Sequence, residues 1–458
     1  MEKMTIAEII SATNGRLLSG NTAGEVNSVC IDSRKMVKGS LFIPIIGESF
    51  DGHDFIKEAF DNGAVVSLVQ KEHCKFDMLP GALIEVDSTL DAFQNLAKYY
   101  RNKFKIPVIG VSGSVGKTTT KEMIAAALGK TLNVLKTEGN YNGQIGLPLT
   151  VFRLDSTYDV AVFEMGISKI GEMDRLADIA NVDFGVITNV GLSHIENFID
   201  INTTCSEKMK LIKKENGVLF LNGDSPALLK NSKMLDKKVI YFGINGSYDY
   251  KCEDVCFGKG EMKFTLITKS FKENMVIPCL GMHNVYNALA SIAVASELGL
   301  HFEDIKKGLS EFKNIGMRQQ ISDMGEIILI DDSYNASPDS VKSSVKILKN
   351  IDAPGKNILV IADMLELGDM SKEIHFDTGR YIALEGIDLL VTVGEYAKYL
   401  SEGAKSINTA LQAIHCTDNL EVFEKLKEFL RKGDKVLVKG SRGMHTDEIC
   451  KMLKEYYV

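Results

Sequence analysis

The sequence lacks most of the features that would place a chain outside the ordinary globular class. Nowhere do about 18 uncharged apolar residues run together, the length a helix needs to cross a bilayer. The opening segment Met1-Glu-Lys-Met-Thr-Ile-Ala-Glu-Ile-Ile10 contains no apolar core of signal-peptide length. A cytoplasmic protein without membrane insertion is therefore expected. Positive charge is not in excess: 53 Lys and Arg stand against 61 Asp and Glu, a net charge of −8. That balance argues against a general binder of nucleic acid or of membrane surfaces, so an anionic ligand must be held by local positive sites. Eight cysteines are scattered along the chain, and the closest pair, Cys252 and Cys256, has no matching Cys/His pair at zinc spacing. Reduced, mostly buried thiols are the expectation. There is no low-complexity tract, no Pro-rich linker and no repeat of about 20 to 50 residues, so the joints between domains must be short.

What is present is enough apolar material, 45% of 458 residues, for about three cores. Residues 1–104 carry short apolar runs (40–46, 63–69 and 82–86) with helical patterns between them, which predicts a small N-terminal α/β domain. Buried-strand runs at 107–111, 159–163 and 184–189 alternate with helix-length segments, the pattern of a parallel sheet covered on both faces. Residues 238–280 lack strong helical character and predict an antiparallel flap or edge. A long helix is expected at about 284–298, stopped by Gly299. A second alternation, with strands at 326–331, 357–361, 388–393 and 435–439, predicts a doubly wound domain. The fold class is thus α/β in three domains, 1–104, 105–314 and 315–458, the central one a parallel-sheet P-loop-type ATPase and the last Rossmann-like.

The central domain opens with Val108-Ile-Gly-Val-Ser-Gly-Ser-Val-Gly-Lys-Thr-Thr-Thr120, an apolar strand, a glycine turn and a helix start around one lysine. Gly113 and Gly116 lack a Cβ, so backbone N–H groups from Ser114 and Val115 onward can converge on phosphate oxygens where the helix dipole is positive. Lys117 would reach the β- and γ-phosphates, and Thr118, followed by Thr119, would place its hydroxyl on Mg²⁺. In the usual spacing a glycine stands five residues before the second; here that position is Val111, with Gly110 one residue too early, so the motif is a shorter form. Downstream, the strand 159–163 is followed by Glu164 at the sheet's ligand edge, a candidate Mg²⁺ ligand. The next strand leads through Asn189 to His194 at the same edge, a second candidate ligand. In Gly281-Met-His-Asn-Val-Tyr-Asn287, Asn284 and Asn287 lie at i and i+3 on one helix face, where two amides can read the edge of adenine. Helix capping accounts for the first of them only.

These motifs, with Asp331-Asp-Ser-Tyr-Asn-Ala-Ser-Pro338, occur in the order found in the Mur ligases, which the chain resembles over essentially its full length. The resemblance extends to Ile31-Asp-Ser-Arg34 and Asp51-Gly-His53 near the N-terminus, and to Asp363-Met-Leu-Glu-Leu-Gly368 and Lys439-Gly-Ser-Arg442 near the C-terminus. It implies a ligase of cytoplasmic cell-wall precursor synthesis. Such an enzyme uses ATP and Mg²⁺ to join D-alanyl-D-alanine to UDP-N-acetylmuramoyl-tripeptide through an acyl phosphate, and it is expected to be a monomer. It implies Lys117, Glu164, His194 and Lys208 as catalytic residues, with a carbamate on Lys208 completing the metal ligands Thr118, Glu164 and His194. Counted from His194 the family spacing falls on Lys208, and Lys210 is the alternative. It implies Ser33 and Arg34 near the uridine diphosphate and Arg318 and Asp332 reaching across to ATP. Lys439, Ser441 and Arg442 would hold the incoming dipeptide. The residues alone leave blander readings open: a turn with a salt bridge at Asp32-Ser33-Arg34, and an Arg442–Glu448 surface pair. Three departures from the family pattern stand out: Gln144 where a glutamate is usual, Ala362 for a glycine, and Asn197–Glu207 in place of a Gly-Ser-Arg-Glu run. Competing functions are another Mur-type amino-acid ligase, the related folate ligase, a silent nucleotide-binding scaffold, and a transporter or motor ATPase. The last is disfavoured by Val162-Phe-Glu-Met-Gly166 where a Walker B aspartate would stand.

Overall fold

The structure, a computed structural model, describes residues 1–74, 79–191, 198 and 200–457. Two compact units emerge, Met1–Ser112 with Thr131–Val186 and Glu207–Leu219, and Gly113–Lys130 with Ile187–Ser206 and Phe220–Val458.

In the first unit, a five-stranded sheet runs in the order Arg16–Ser19, Ala82–Val86, Ala64–Gln70, Ser40–Phe42, Ser28–Cys30, with only the first pair antiparallel. The 40–46 run ends as a strand at Phe42, because Pro44 has no N–H to give a ladder. Phe42, Val69 and Leu83 from this sheet pack with Ile56 and Phe60 of the helix Ile56–Asp61. Helix Thr89–Arg101, capped by Ser88, ends at a short joint. There the buried Arg101 guanidinium donates to the carbonyls of Ala180, Phe104 and Ile106, satisfying three acceptors with one side chain. The strand Val108–Ser112 pairs in parallel with Val160–Glu164, which pairs in parallel with Val134–Lys136.

In the second unit, helix Lys117–Leu128 packs against helix Met282–Glu297. Gly299, at φ +83°, follows that second helix in the left-handed conformation expected of its stop. The 238–280 segment is a meander of Tyr250–Phe257, Met262–Thr268 and Lys272–Ile277, antiparallel as expected. Its first strand, Lys238–Gly243, departs from that expectation by pairing in parallel with Tyr250–Phe257 over two residue pairs. The short connection reaches because Asp224 accepts from Ile244 and Asn245 N–H groups and folds it back.

The C-terminal sheet has six strands in the order Gln320–Asp323, Ile328–Asp332, Lys435–Lys439, Asn357–Ala362, Leu389–Val393, Gln412–Cys416. All are parallel except the edge strand Gln320–Asp323, which the apolar pattern did not announce because it is mostly polar and exposed. Two cores flank this sheet, one with Val341, Leu348, Ile374 and Leu400, the other with Val422, Leu426, Ile449 and Leu453. That is the doubly wound arrangement the alternation predicts.

Candidate active site

The glycine turn after Val108–Ser112 has the conformation of an anion cradle. Gly113 sits at φ +147° and Gly116 at φ +89°. A Cβ on Gly113 would lie 2.0 Å from Thr188 Oγ1, and one on Gly116 2.9 Å from Asn287 Oδ1, so neither position tolerates a side chain. The loop is pinned from below by the segment 188–191. Ser114 N–H donates to Asn189 O (3.0 Å), Val115 N–H to Asn189 Oδ1 (2.8 Å) and Gly191 N–H to Ser114 Oγ (2.9 Å), while Thr188 Oγ1 donates to Val115 O (2.6 Å). The amides of Ser114 and Val115 are thus spent on Asn189 rather than turned to a ligand. The first helical turn, Lys117 to Thr119, brings the N-terminal N–H groups that a helix does not bond within itself. Lys117 Nζ folds back over the loop to Gly113 O at 2.8 Å, resting where a phosphate oxygen would compete for it. Thr118 is buried and Thr119 half-buried on that turn.

Asn284 and Asn287 share one face of their helix as expected, but both amides are engaged within the protein. Asn284 Nδ2 donates to Leu280 O and Gln319 Oε1, Asn287 Nδ2 donates to Asn284 Oδ1, and Thr120 Oγ1 donates to Asn287 Oδ1. In this arrangement they brace the phosphate-loop helix. The role of Asn189 as loop anchor was not read from the sequence, although its place at a strand end beside the loop was visible.

Glu164 ends its strand in a buried position, its N–H on Thr137 Oγ1 and its Oε1 accepting from Asn142 Nδ2 at 2.9 Å. Lys208, on the helix Ile201–Met209, is 2% exposed. Lys210 is exposed and bridges Glu207 (2.7 Å) and Asp174 (2.9 Å), which hold its ammonium above the usual lysine pKa. His194 lies outside the described residues.

In the C-terminal sheet Lys439 and Asp332 end adjacent strands and bind each other, Nζ to Oδ2 at 2.6 Å, with Lys439 Nζ also on Asn335 O and Ser344 Oγ on the same carboxylate oxygen. Ser441 is buried, its Oγ accepting from Leu365 N–H. Of the three residues assigned to the dipeptide, only Arg442 is exposed. Its pair is with Asp447 (3.2 Å), not Glu448, which receives Asn419 Nδ2 instead. Arg318 lays its guanidinium over the Tyr334 ring at 3.9 Å.

In the N-terminal sheet's loops the Asp32-Ser33-Arg34 turn is built as the bland reading describes it. Asp32 caps the turn and grips Arg34 with two parallel bonds (2.8 and 3.0 Å), while buried Ser33 donates to Glu58. Nearby, Asp51, His53 and His73 bring three possible metal donors within 4.8 Å. Both His53 nitrogens are already used, Nδ1 on Asp51 and Nε2 accepting Gln70 N–H, so the imidazole has no lone pair left for an ion.

Residues 25–115 match the Mur ligase family catalytic domain, 111–295 the Mur ligase middle domain and 317–442 the Mur ligase glutamate ligase domain. A UDP-N-acetylmuramoyl-tripeptide–D-alanyl-D-alanine ligase of Bacillus subtilis is 40% identical, over 99% of both chains. The chain belongs to the Mur ligase family. It is accordingly an enzyme of the ligase class. Among solved structures, MurF from Acinetobacter baumannii superposes with a TM-score of 0.92 at 29% identity over 99% of each chain. MurF from Thermotoga maritima in complex with ADP does so at 0.84 and 28%, covering 94% of this chain and 98% of the other. Mur ligases of this type have the N-terminal, central ATPase and C-terminal architecture expected from the sequence. Against the family pattern, Gln144 gains a physical account. Its Nε2 donates to Glu172 O and its Oε1 accepts from Gln94, a double duty that a carboxylate could not perform.

Proposed function

We propose that this Mur ligase joins D-alanyl-D-alanine to UDP-N-acetylmuramoyl-tripeptide at the expense of ATP, in cytoplasmic peptidoglycan precursor synthesis. One observation carries the proposal. The Gly113–Thr119 cradle opens a helix with a lysine folded over it, in a chain alike from end to end to ligases of that specificity. The three parts of the chain divide the substrates: 1–104, with Ser33 and Arg34, take the uridine diphosphate; 105–314 take ATP; 315–458 take the dipeptide.

The chemistry follows from the poor electrophilicity of a carboxylate. The tripeptide carboxylate attacks the γ-phosphorus of ATP, the β–γ bridging bond breaks, and ADP leaves. The amine of D-alanyl-D-alanine then attacks the acyl phosphate, loses a proton, and expels inorganic phosphate. Both steps concentrate negative charge, so the site needs cations and N–H donors more than an acid catalyst. Lys117 exchanges its loop carbonyls for phosphate oxygens. Arg318 and Asp332 reach the nucleotide from the C-terminal part, with Asn284 and Asn287 on the adenine side. Arg442 holds the dipeptide carboxylate beside Lys439 and Ser441, which shape the pocket wall.

The donor set suits magnesium, since Thr118 offers a hydroxyl and Glu164 a buried carboxylate oxygen. Thr118, Glu164, His194 and a carbamate on Lys208 would hold it. When bound it supplies charge neutralisation on the phosphates and the reacting carboxylate. Carbamylation requires a neutral amine. The two carboxylates on Lys210 oppose it, whereas Lys208 is the buried one of the two lysines.

The test is phosphate release from ATP across a grid of UDP-muramoyl tripeptides against amino acids and dipeptides. Strict dependence on D-alanyl-D-alanine is expected. Equal turnover with single amino acids would assign the chain to another branch of the family.

A further inference from the structure

We propose that Gln319 is a positioning residue that sets Arg318 for the nucleotide, through a one-directional relay of side-chain hydrogen bonds running from the phosphate-loop helix. The proposal rests on the ATP-dependent reading above. Thr120 Oγ1 donates to Asn287 Oδ1 (3.0 Å), Asn287 Nδ2 to Asn284 Oδ1 (3.0 Å), and Asn284 Nδ2 to Gln319 Oε1 (3.2 Å). The Gln319 carboxamide then meets His283 Nε2, with its Nε2 at 2.9 Å and its Oε1 at 3.1 Å, the imidazole tautomer setting which of them bonds. Asn287 and Asn284 each spend the amide oxygen on the link before and an N–H on the link after, so neither can flip without breaking both neighbours. The second Asn284 proton is fixed on Leu280 O. The relay ends on the His283 imidazole, which burial holds below its ordinary pKa and so in the neutral form.

The relay meets the backbone where it is most constrained. Met317 and Gln319 lie at φ +62° and φ +52°, the left-handed region that a side-chain-bearing residue occupies at a cost and keeps only when its surroundings enforce it. Arg318 is thereby held between two such residues, with its guanidinium stacked on Tyr334. Met317 O also accepts from Tyr334 N–H (3.1 Å). The Gln319 carboxamide therefore connects the turn that carries the arginine to the helix that opens the phosphate cradle.

Two substitutions separate the backbone from the amide. Gln319→Asn keeps a residue that tolerates the left-handed region but is too short to span both partners, and Gln319→Gly removes the side chain while relieving the turn. With the full chain and all three substrates, each should raise the KM for ATP about tenfold, leave the other two KM values within about twofold, and melt near the wild-type temperature. In an Arg318→Ala background the same changes should add nothing further. A lowered melting temperature with unchanged KM for ATP would overturn the proposal. So would equal changes in all three KM values, or effects that multiply with Arg318→Ala. No ATP-dependent phosphate release from the wild-type chain would overturn the parent reading and the proposal together. A wild-type enzyme beside fully active Gln319 variants would overturn the proposal alone.

Discussion

Lys439 Nζ and Asp332 Oδ2 lie 2.6 Å apart at the ends of adjacent parallel strands, register partners in the ladder and both buried. Sequence motif assigns them to different substrates, the dipeptide and ATP, yet in the fold they neutralise each other. Any ligand that takes one must release or share the other.

Because the pair is buried, removing one partner leaves an uncompensated charge. Lys439→Ala should lower the unfolding free energy by about 3–5 kcal/mol, and Lys439→Met together with Asp332→Leu by much less. Urea denaturation of the three proteins checks this. Activity lost in Lys439→Ala alone would then report stability as much as dipeptide contact.

Arg442 is the opposite case, exposed, ion-paired with Asp447 and touching Met317 Sδ. Arg442→Ala should leave stability within about 0.5 kcal/mol. It should raise the KM for D-alanyl-D-alanine by roughly ten- to hundredfold, the loss of a charge-assisted pair, without changing that for ATP. Steady-state kinetics with each substrate varied decides it, and equal weakening of all three would remove the dipeptide role.

Lys117→Ala should lower phosphate release by about 10²–10³-fold, the cost of losing one preorganised donor to phosphate charge. The fold should persist, since its ammonium rests on loop carbonyls. A folded variant with near-normal turnover would exclude the cradle as the ATP site.

Lys208→Ala should be nearly inactive and Lys210→Ala much less affected. With ¹³C-labelled bicarbonate, a carbamate resonance should be present in the wild type and in Lys210→Ala and absent in Lys208→Ala. A resonance lost only with Lys210 would reverse the assignment.

Three histidines, His53, His283 and His375, are held below the ordinary imidazole pKa by burial. His375 accepts Met364 N–H at Nε2 and donates from Nδ1 to Ser371 O, which requires the neutral form. Since the folded state resists protonation, the stability these groups contribute is complete above about pH 6.5 and is lost as pH falls through their folded values. Urea denaturation between pH 7 and pH 5 should show that loss. His375→Gln, which can both accept and donate at the same places, should reduce it. An identical pH slope in the variant would exclude His375 as a contributor.

Local chemistry determined most of what is decided by short range. Gly113 and Gly116 announce the turn because only glycine fits there, and the apolar runs placed the four inner strands of the C-terminal sheet. Lys117, Thr118 and Glu164 were legible because a loop and a strand end fix their places one element at a time. Only the tertiary structure decided partners that are far apart in sequence: Asn189 under the phosphate loop, Gln319 on Asn284, Asp332 on Lys439 107 positions away. It also gave Arg442 to Asp447 rather than Glu448, and showed the Asp32–Arg34 turn closed on itself. A residue type states what bonds a side chain can make. Which of several candidates receives them depends on how separate elements pack, and that is set by burial and competition among neighbours rather than by spacing along the chain.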